Sequence, residues 1–328
     1  MLHAGVPCCY FPTTVVFVDD DSIFLEHLPL TLSSSKTSFP QFFTYPLQAL
    51  EFINASPSQG AFIKRSLLSA AEEDYEHRVI DVSVPIIHHE VFNSQRSKEI
   101  SVIIVDQIMP QLTGLELCRQ LVHPSIKRIM LTGEADEKFA IRAFNEGLID
   151  HFIRKDSETF NDDLNKALET LQYEYFVNLS QIILQSLATD SKRSSPLNDP
   201  AFIKFFTDLC RQEHIEEYYL LDISGSFLLV DDKKKLRWLI VKTHEELNLL
   251  AGHADAQDSL DHILRPVRQR QSLLYFYDPE DSLAPVKEWV SFMYPVQGTI
   301  KGQQDTYYYS LQSQVNAPSF DAHKVALL

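Results

Sequence analysis

Apolar residues fall into two alternating patterns along the first half of the chain. Thr14 to Val18 (TVVFV) and Ser101 to Val105 (SVIIV) read as buried strands, the first with both faces covered, and Arg128 to Leu131 (RIML) and Asp150 to Arg154 (DHFIR) read as further strands. A further strand is predicted near Gln41 to Thr44. Between these runs, apolar residues recur at helical spacing over Ser22–Leu30, Leu47–Ile53, Leu112–Leu121 and Asp136–Glu146, the last closed by Gly147 at a C′ position. Such alternation predicts a parallel sheet covered by helices on both sides. From Thr159 to Leu187 the chain lacks Pro and Gly, which predicts one long helix. At 1.5 Å per residue it would run about 43 Å. Two readings of its distal half stay open: a dimer contact or signalling rod, and packing on its own domain.

The pattern changes after Asp190. Residues 190–200 (DSKRSSPLNDP) are rich in Ser, Pro and charge and read as a linker. Beyond them, a helix over Ala201–Gln212 leads into strands at Glu217–Asp222, Ser226–Val230 and Leu236–Lys242. Helices over Thr243–Gly252 and Asp258–Arg270 follow, with more strand-like runs from Leu273–Tyr277 to Leu311. The expected organisation is an α/β domain over 11–172, an extended helix and linker over 173–200, and an α+β domain over 201–328. At roughly 150 residues per domain, 328 residues suit two domains.

Composition narrows the function classes. The balance of 29 Lys and Arg against 45 Asp and Glu gives −16, which argues against a sequence-blind grip on DNA or an anionic membrane face. None of the nine glycines is arranged as GxxxxGK[ST] or GxGxxG. Cys8, Cys9, Cys118 and Cys210 form no CxxC pair, so no zinc ribbon or disulfide framework is expected, and a reduced, cytoplasmic setting is. No apolar run approaches the roughly 18 residues needed to cross a bilayer. The start, MLHAGVPCCYF, reads as a short leader into the first strand.

Parallel sheets place their chemistry at the carboxyl ends of their strands. Four ends here carry Asp19 with Asp20, Asp106, Thr132 and Lys155. Converging carboxylates repel, and a small hard cation such as Mg²⁺ relieves this while keeping several waters. A carboxylate in such a nest can attack a phosphoryl group if the developing charge is neutralised. Lys155 supplies positive charge and Thr132 a hydrogen bond. The expected chemistry is formation and hydrolysis of an aspartyl phosphate. Asp21 is expected to cap the following helix instead.

This ordered set resembles the receiver domain of bacterial two-component response regulators. The matching pieces are Val18-Asp19-Asp20-Asp21, then Val105-Asp106 through Met109-Pro110 with Gly114 (D-x-x-M-P-x-x-x-G), Leu131-Thr132-Gly133, and Phe152 to Lys155. The resemblance implies a doubly wound, flavodoxin-like five-stranded receiver. It implies that Asp106 is the phospho-acceptor, and that Asp19, Asp20, Asp106 and the backbone carbonyl of Ile108 hold Mg²⁺. It further implies that Thr132 and Lys155 contact the phosphoryl group, that Phe152 is an aromatic switch, and that small Gly133 leaves room for the donor. A sensor histidine kinase or phosphotransfer protein would supply phosphate. No enzymatic activity is implied beyond self-catalysed phosphorylation and dephosphorylation.

Two departures stand out. The family usually has a cis proline after this lysine, and Asp156 is here. A cis bond before a non-proline residue costs about 2.5–4 kcal/mol, so the bond is expected to be trans or strained, with an altered phosphoryl lifetime. From Asp20 to Asp106 there are also 86 positions, where two crossovers and a strand need only about 40–45. The excess is placed at about 55–99 as an added lobe on the receiver, with a helical stretch over Ala61–Tyr75 and a segment Val79–Phe92 carrying His88 and His89. Adjacent histidines point in different directions and suit surface or packing roles better than metal ligation.

The output half carries no catalytic signature. His253, Asp255, Asp258, Asp261 and His262 read as a solvated acidic face. Lys233, Lys234, Lys235 and Arg237 form one basic group, and Arg265, Arg268 and Arg270 another. Residues 201–328 nevertheless hold 13 Lys and Arg against 18 Asp and Glu, a net of −5. Three outputs are carried forward: protein interaction or homodimerisation, nucleic-acid binding, and a ligand-binding or enzymatic domain.

Overall fold

The computed structural model describes residues 5–32, 38–56, 67–68, 81–82, 84–133, 137–187, 196–252, 261–317 and 320. The chain separates into two compact units: Tyr10–Ser69 with Ser94–Ile183, and Met1–Cys9 with Ala70–Asn93 and Leu184–Leu328.

The first unit is built on five strands: β1 (Thr13–Val18), β2 (Ser38–Phe43), β3 (Ile100–Asp106), β4 (Lys127–Thr132) and β5 (His151–Arg154). Their order is β2-β1-β3-β4-β5, and every pairing is parallel. Helices α1 (Ser22–Thr31), α2 (Pro46–Ala55), α3 (Gly114–Gln120), α4 (Glu137–Asn145) and α5 (Phe160–Leu187) accompany them. The predicted doubly wound sheet is therefore present. Its unbroken apolar runs reflect two buried faces. Val16, Val18, Ile103, Val105 and Met130 pack on one side with Ala49, Ile53, Leu117 and Ala140. Val15, Phe17, Val102, Ile104 and Leu131 face Leu25, Leu28, Leu164, Leu168 and Leu171 on the other. Each such side chain contributes about 1.5–3 kcal/mol by leaving water.

Local chemistry sets the helix ends. The Asp21 carboxylate accepts from the Ile23 and Phe24 amides at 2.9 and 3.1 Å, the expected cap of α1. Thr113 and Glu116 form a reciprocal capping box that starts α3. Gly147, at φ +70°, ends α4. Its amide donates to Phe144 and that of Leu148 to Ala143, a paired closure that needs a left-handed residue.

Helix α5 runs 28 residues. Its far half packs on its own unit: the Phe176 ring lies 4.8 Å from Phe11, and the Tyr175 hydroxyl donates to the buried Glu99 carboxylate at 2.5 Å. Of the two readings of this stretch, the structure carries packing as far as Ser180, which is itself buried.

In the second unit, α6 (Pro200–Gln212) precedes β6 (Ile215–Leu220), β7 (Phe227–Asp231) and β8 (Leu236–Thr243). Then come α7 (His244–Gly252), α8 (Asp261–Arg268), β9 (Ser272–Leu274), β10 (Met293–Pro295), β11 (Gly298–Lys301) and β12 (Thr306–Gln312). A short strand, Cys9–Tyr10, opens a six-stranded sheet that continues β6-β7-β8-β12-β11, and β9 pairs with β10. The pairings from β6 to β11 are antiparallel. This is the expected α+β character. The acidic face proposed around His253 lies outside the described residues, apart from the backbone of Asp261 and His262. No described helix is long and apolar enough to cross a membrane.

The stretch at 55–99 departs from the sequence expectation. Most of the helix predicted over Ala61–Tyr75 lies outside the described residues, and Leu67–Leu68 within it is strand. The described residues 81–82 and 84–93 group with the second unit and not with the first. There a short helix, Val84–His89, packs against β6, and Ile87, His88 and Val91 are buried. His88 bonds Tyr277, and the Phe92 and Trp238 rings both lie against Phe320, the first tilted and the second edge-on. Apolar and aromatic burial explains the placement, and it gives His88 the packing role expected of it.

Candidate functional site

Because β1, β3, β4 and β5 run parallel, their carboxyl ends share one edge. Register fixes who meets there: Val18 lies opposite Val105, Asp106 opposite Leu131, and Thr132 opposite Arg154. The sheet order reverses direction between β1 and β3, the switch point where such sheets bind ligands.

Ligand oxygens of Asp19, Asp20 and Asp106 lie within 4.8 Å of one another. Asp19 is 1% exposed and Asp106 8%, while Asp20 faces solvent. Backbone amides orient the two buried carboxylates. Asp21 donates to Asp19 Oδ1 at 3.1 Å, and Ile108 donates to Asp106 Oδ2 at 2.9 Å. The Lys155 ammonium closes the nest, 2.6 Å from Asp19 Oδ2 and 2.7 Å from Asp106 Oδ1. It also sits 4.8 Å above the Phe24 ring, a cation–π contact.

The electrostatics follow from this crowding. Burial pushes the Asp19 carboxyl above its ordinary range, although Lys155 and the Asp21 amide pull it down; the Asp106 charge adds to the rise. Burial works against the Lys155 ammonium, but its bonds to Asp106 and Asp19 outweigh that and hold its pKa above the ordinary lysine value. The lysine thus bridges two carboxylates that would otherwise repel.

Thr132 is fully buried, and its hydroxyl donates to the Ile153 carbonyl at 3.5 Å, a long bond that leaves it little held. Phe152 is half-buried against the core, its ring 6.5 Å from Phe144. Ile108 exposes its side chain and turns its amide to Asp106. There is no cis peptide bond among the described residues, so Lys155–Asp156 is trans, the first of the two outcomes expected of it. Arg154 grips Asp156 with two bonds, Nε to Oδ1 at 3.1 Å and Nη2 to Oδ2 at 2.8 Å.

Three features escaped the sequence reading: the Phe24 ring under Lys155, the Arg154–Asp156 pair, and the reason for Gly114. A Cβ at Gly114 would sit 2.3 Å from the Asp106 carbonyl oxygen. Only a bare backbone lets α3 approach the acceptor strand this closely. Gly114→Ala is therefore expected to cost about 1–3 kcal/mol by overpacking, read as a lowered melting temperature, and to displace Asp106. A melting curve identical to wild type contradicts that close approach.

Residues 65–169 match the family described as response regulator receiver domain. That span holds Asp106, Thr132 and Lys155 but not β1; the fold is what adds Asp19 and Asp20. The solved structure of the response regulator LqsR from Legionella pneumophila is 32% identical, covers 99% of this chain and 96% of its own, and superposes with a TM-score of 0.76. A receiver domain protein from Clostridium thermocellum is 19% identical over 51% of this chain and 98% of its own, with a TM-score of 0.34. No curated protein matches the chain significantly. With near-complete coverage at this identity, over a sheet whose ends gather three aspartates, a threonine and a lysine, the chain belongs to the response regulator family and carries its receiver domain.

Proposed function

We propose that this response regulator is switched by phosphorylation of Asp106, with a sensor histidine kinase or phosphotransfer protein as donor. The observation that carries the reading is the Lys155 ammonium held between Asp19 and Asp106, with Asp20 in the same cluster. Asp19, Asp20 and Asp106 are hard oxygen donors grouped closely enough for Mg²⁺, and the buried, raised Asp19 carboxyl marks a nest short of positive charge. In the ligand set implied by the family, the Ile108 carbonyl joins them. When bound, Mg²⁺ would neutralise charge on the phosphoryl oxygens.

The chain's own residues do the rest. An Asp106 oxygen attacks phosphorus; the P–N bond to the donor imidazole breaks, and its electron pair returns to the ring nitrogen. Lys155 keeps its proton and offsets charge on the transferring group. Thr132, loosely held by Ile153, is free to turn its hydroxyl toward a phosphoryl oxygen. Phe152, opposite Met130 on the neighbouring strand, supplies the bulky group whose repacking would carry the change outward. Incubation with acetyl phosphate and Mg²⁺ is expected to add one phosphoryl mass to wild type and none to Asp106→Asn. Wild type without that gain refutes the reading.

For the second unit we favour output through protein interaction. Two of the four cations in its first basic group are engaged by neighbouring acids: Lys234 pairs with Glu216 and Glu217, and Arg237 with Glu213 and Asp231. Cations engaged in this way release few counterions from a nucleic acid.

A further inference from the structure

The residues on either side of Lys155 do something that the acceptor chemistry alone does not require. Arg154 ends β5 opposite Thr132, and the Lys155 amide donates to the Thr132 carbonyl at 3.0 Å as the last bond of that ladder. The chain then turns: the Ser157 amide donates back to the Arg154 carbonyl at 3.3 Å. Residues 154–157 are therefore a β-turn with Lys155 at its second position and Asp156 at its third. Across this turn runs the two-pronged Arg154–Asp156 bridge, 3.1 and 2.8 Å.

The bridge joins the residue before the lysine to the residue after it. A planar guanidinium gripping both oxygens of a carboxylate fixes orientation as well as distance, which a single ammonium contact does not. The Lys155 backbone is thereby held from two sides, by the ladder bond to Thr132 and by the bridge over its own turn. Its ammonium meets two carboxylates at 2.6 and 2.7 Å. An aspartate beside a nest of three others also brings unwanted negative charge, and Arg154 neutralises it on the spot.

We propose that Arg154 and Asp156 are positioning residues: their bridge braces the turn that carries Lys155 and so fixes where its ammonium stands relative to Asp106. This rests on Asp106 being the phosphoryl acceptor. Both side chains are well exposed, at 39% and 50%. The competing account is an ordinary surface pair that contributes almost nothing to stability. That account predicts no change in chemistry, so rate and stability separate the two.

The test compares wild type, Arg154→Ala, Asp156→Ala, the double variant and Arg154→Lys. Acetyl phosphate drives phosphorylation in saturating Mg²⁺, and amide hydrogen exchange follows Lys155 and Ser157. Each single alanine variant is expected to slow phosphorylation about 3- to 10-fold, with the melting temperature unchanged. The double variant is expected to be no slower than the worse single one, because the two side chains act as one unit. Arg154→Lys falls between. Exchange at Ser157 speeds up in the alanine variants, as expected of an unbraced turn. If the variants match a phosphorylated wild type, or if the two alanine effects multiply, the proposal is overturned while the acceptor reading stands. If wild type gains no phosphoryl group, the acceptor reading itself has failed and the proposal falls with it.

Discussion

Lys155→Ala will lower the stability of the receiver unit at pH 7 by about 2 kcal/mol, less than the cost of breaking a fully buried pair because the lysine is partly exposed. For a unit of this size that is about 4–8 °C in melting temperature. The reason lies in what the lysine leaves behind. Asp19 is sealed from water, Asp106 nearly so, and Asp20 lies in the same cluster. Without the ammonium, three carboxylates face one another, and among the described residues backbone amides alone relieve the two buried ones. The Asp19 carboxyl, already raised by burial in wild type, rises further. A carboxyl whose folded pKa exceeds its unfolded value is destabilising above the folded pKa and neutral below the unfolded one. The deficit of the variant is therefore largest near neutral pH and shrinks as pH falls through the protonation of these carboxylates. Added Mg²⁺ will also recover part of the melting temperature. Phosphorylation will fall about 100-fold, as when a group aimed at developing charge is removed. A variant that melts like wild type at pH 7, or whose deficit grows on acidification, contradicts the bridging role given to Lys155.

The site was more legible in the sequence than the organisation around it. Three of the five receiver strands, β1, β3 and β4, stand out because burial on both faces demands unbroken apolar runs, while β5 lies at the sheet edge with His151 exposed; the reactive groups end these strands or follow them directly. β2 was placed only by its end. It is an edge strand with Pro40 inside and an exposed middle, so the two-faced signal fails there. The capping box was readable at Thr113-x-x-Glu116. The Arg154–Asp156 bridge was not, since spacing alone does not say which of many nearby charges meet. The expected boundaries at 11–172 and 201–328 differ from the compact units for a similar reason. Residues 84–93 look like part of the receiver only because they precede β3; the partner of His88 lies 189 positions further on. The strand Cys9–Tyr10, with the Leu220 amide donating to the Cys8 carbonyl at 2.7 Å, is too short to carry any pattern.

His88 makes the second unit sensitive to acid. The ring is 4% exposed, and its Nε2 lies 2.8 Å from the Tyr277 hydroxyl. No group bonds Nδ1. An orphaned lone pair costs less than an orphaned N–H, so the favoured tautomer carries its proton on Nε2 and donates to the phenol oxygen. Burial, aided by the neighbouring His89 charge, pulls the His88 pKa down to about 3, and Tyr277, itself half-buried, is pushed up to about 12. Neither group is charged in the folded protein at neutral pH. Above pH 6.5 the folded and unfolded chains bind the same number of protons at this position. Below it the unfolded chain takes up a proton that the folded chain refuses until about pH 3. Stability is thus lost between these limits, by about 2 kcal/mol at pH 5 relative to pH 7. His88→Gln keeps a donor for Tyr277 and cannot titrate. It will melt lower than wild type at pH 7, because a smaller side chain fills the aromatic pocket less well. Its transition in the second unit will then change far less between pH 7 and 5. Melting curves followed by Trp238 fluorescence decide the matter, since that indole lies in the same cluster, 5.5 Å from the Tyr277 ring. Equal acid sensitivity in wild type and His88→Gln would place the proton uptake elsewhere and remove His88 as its cause.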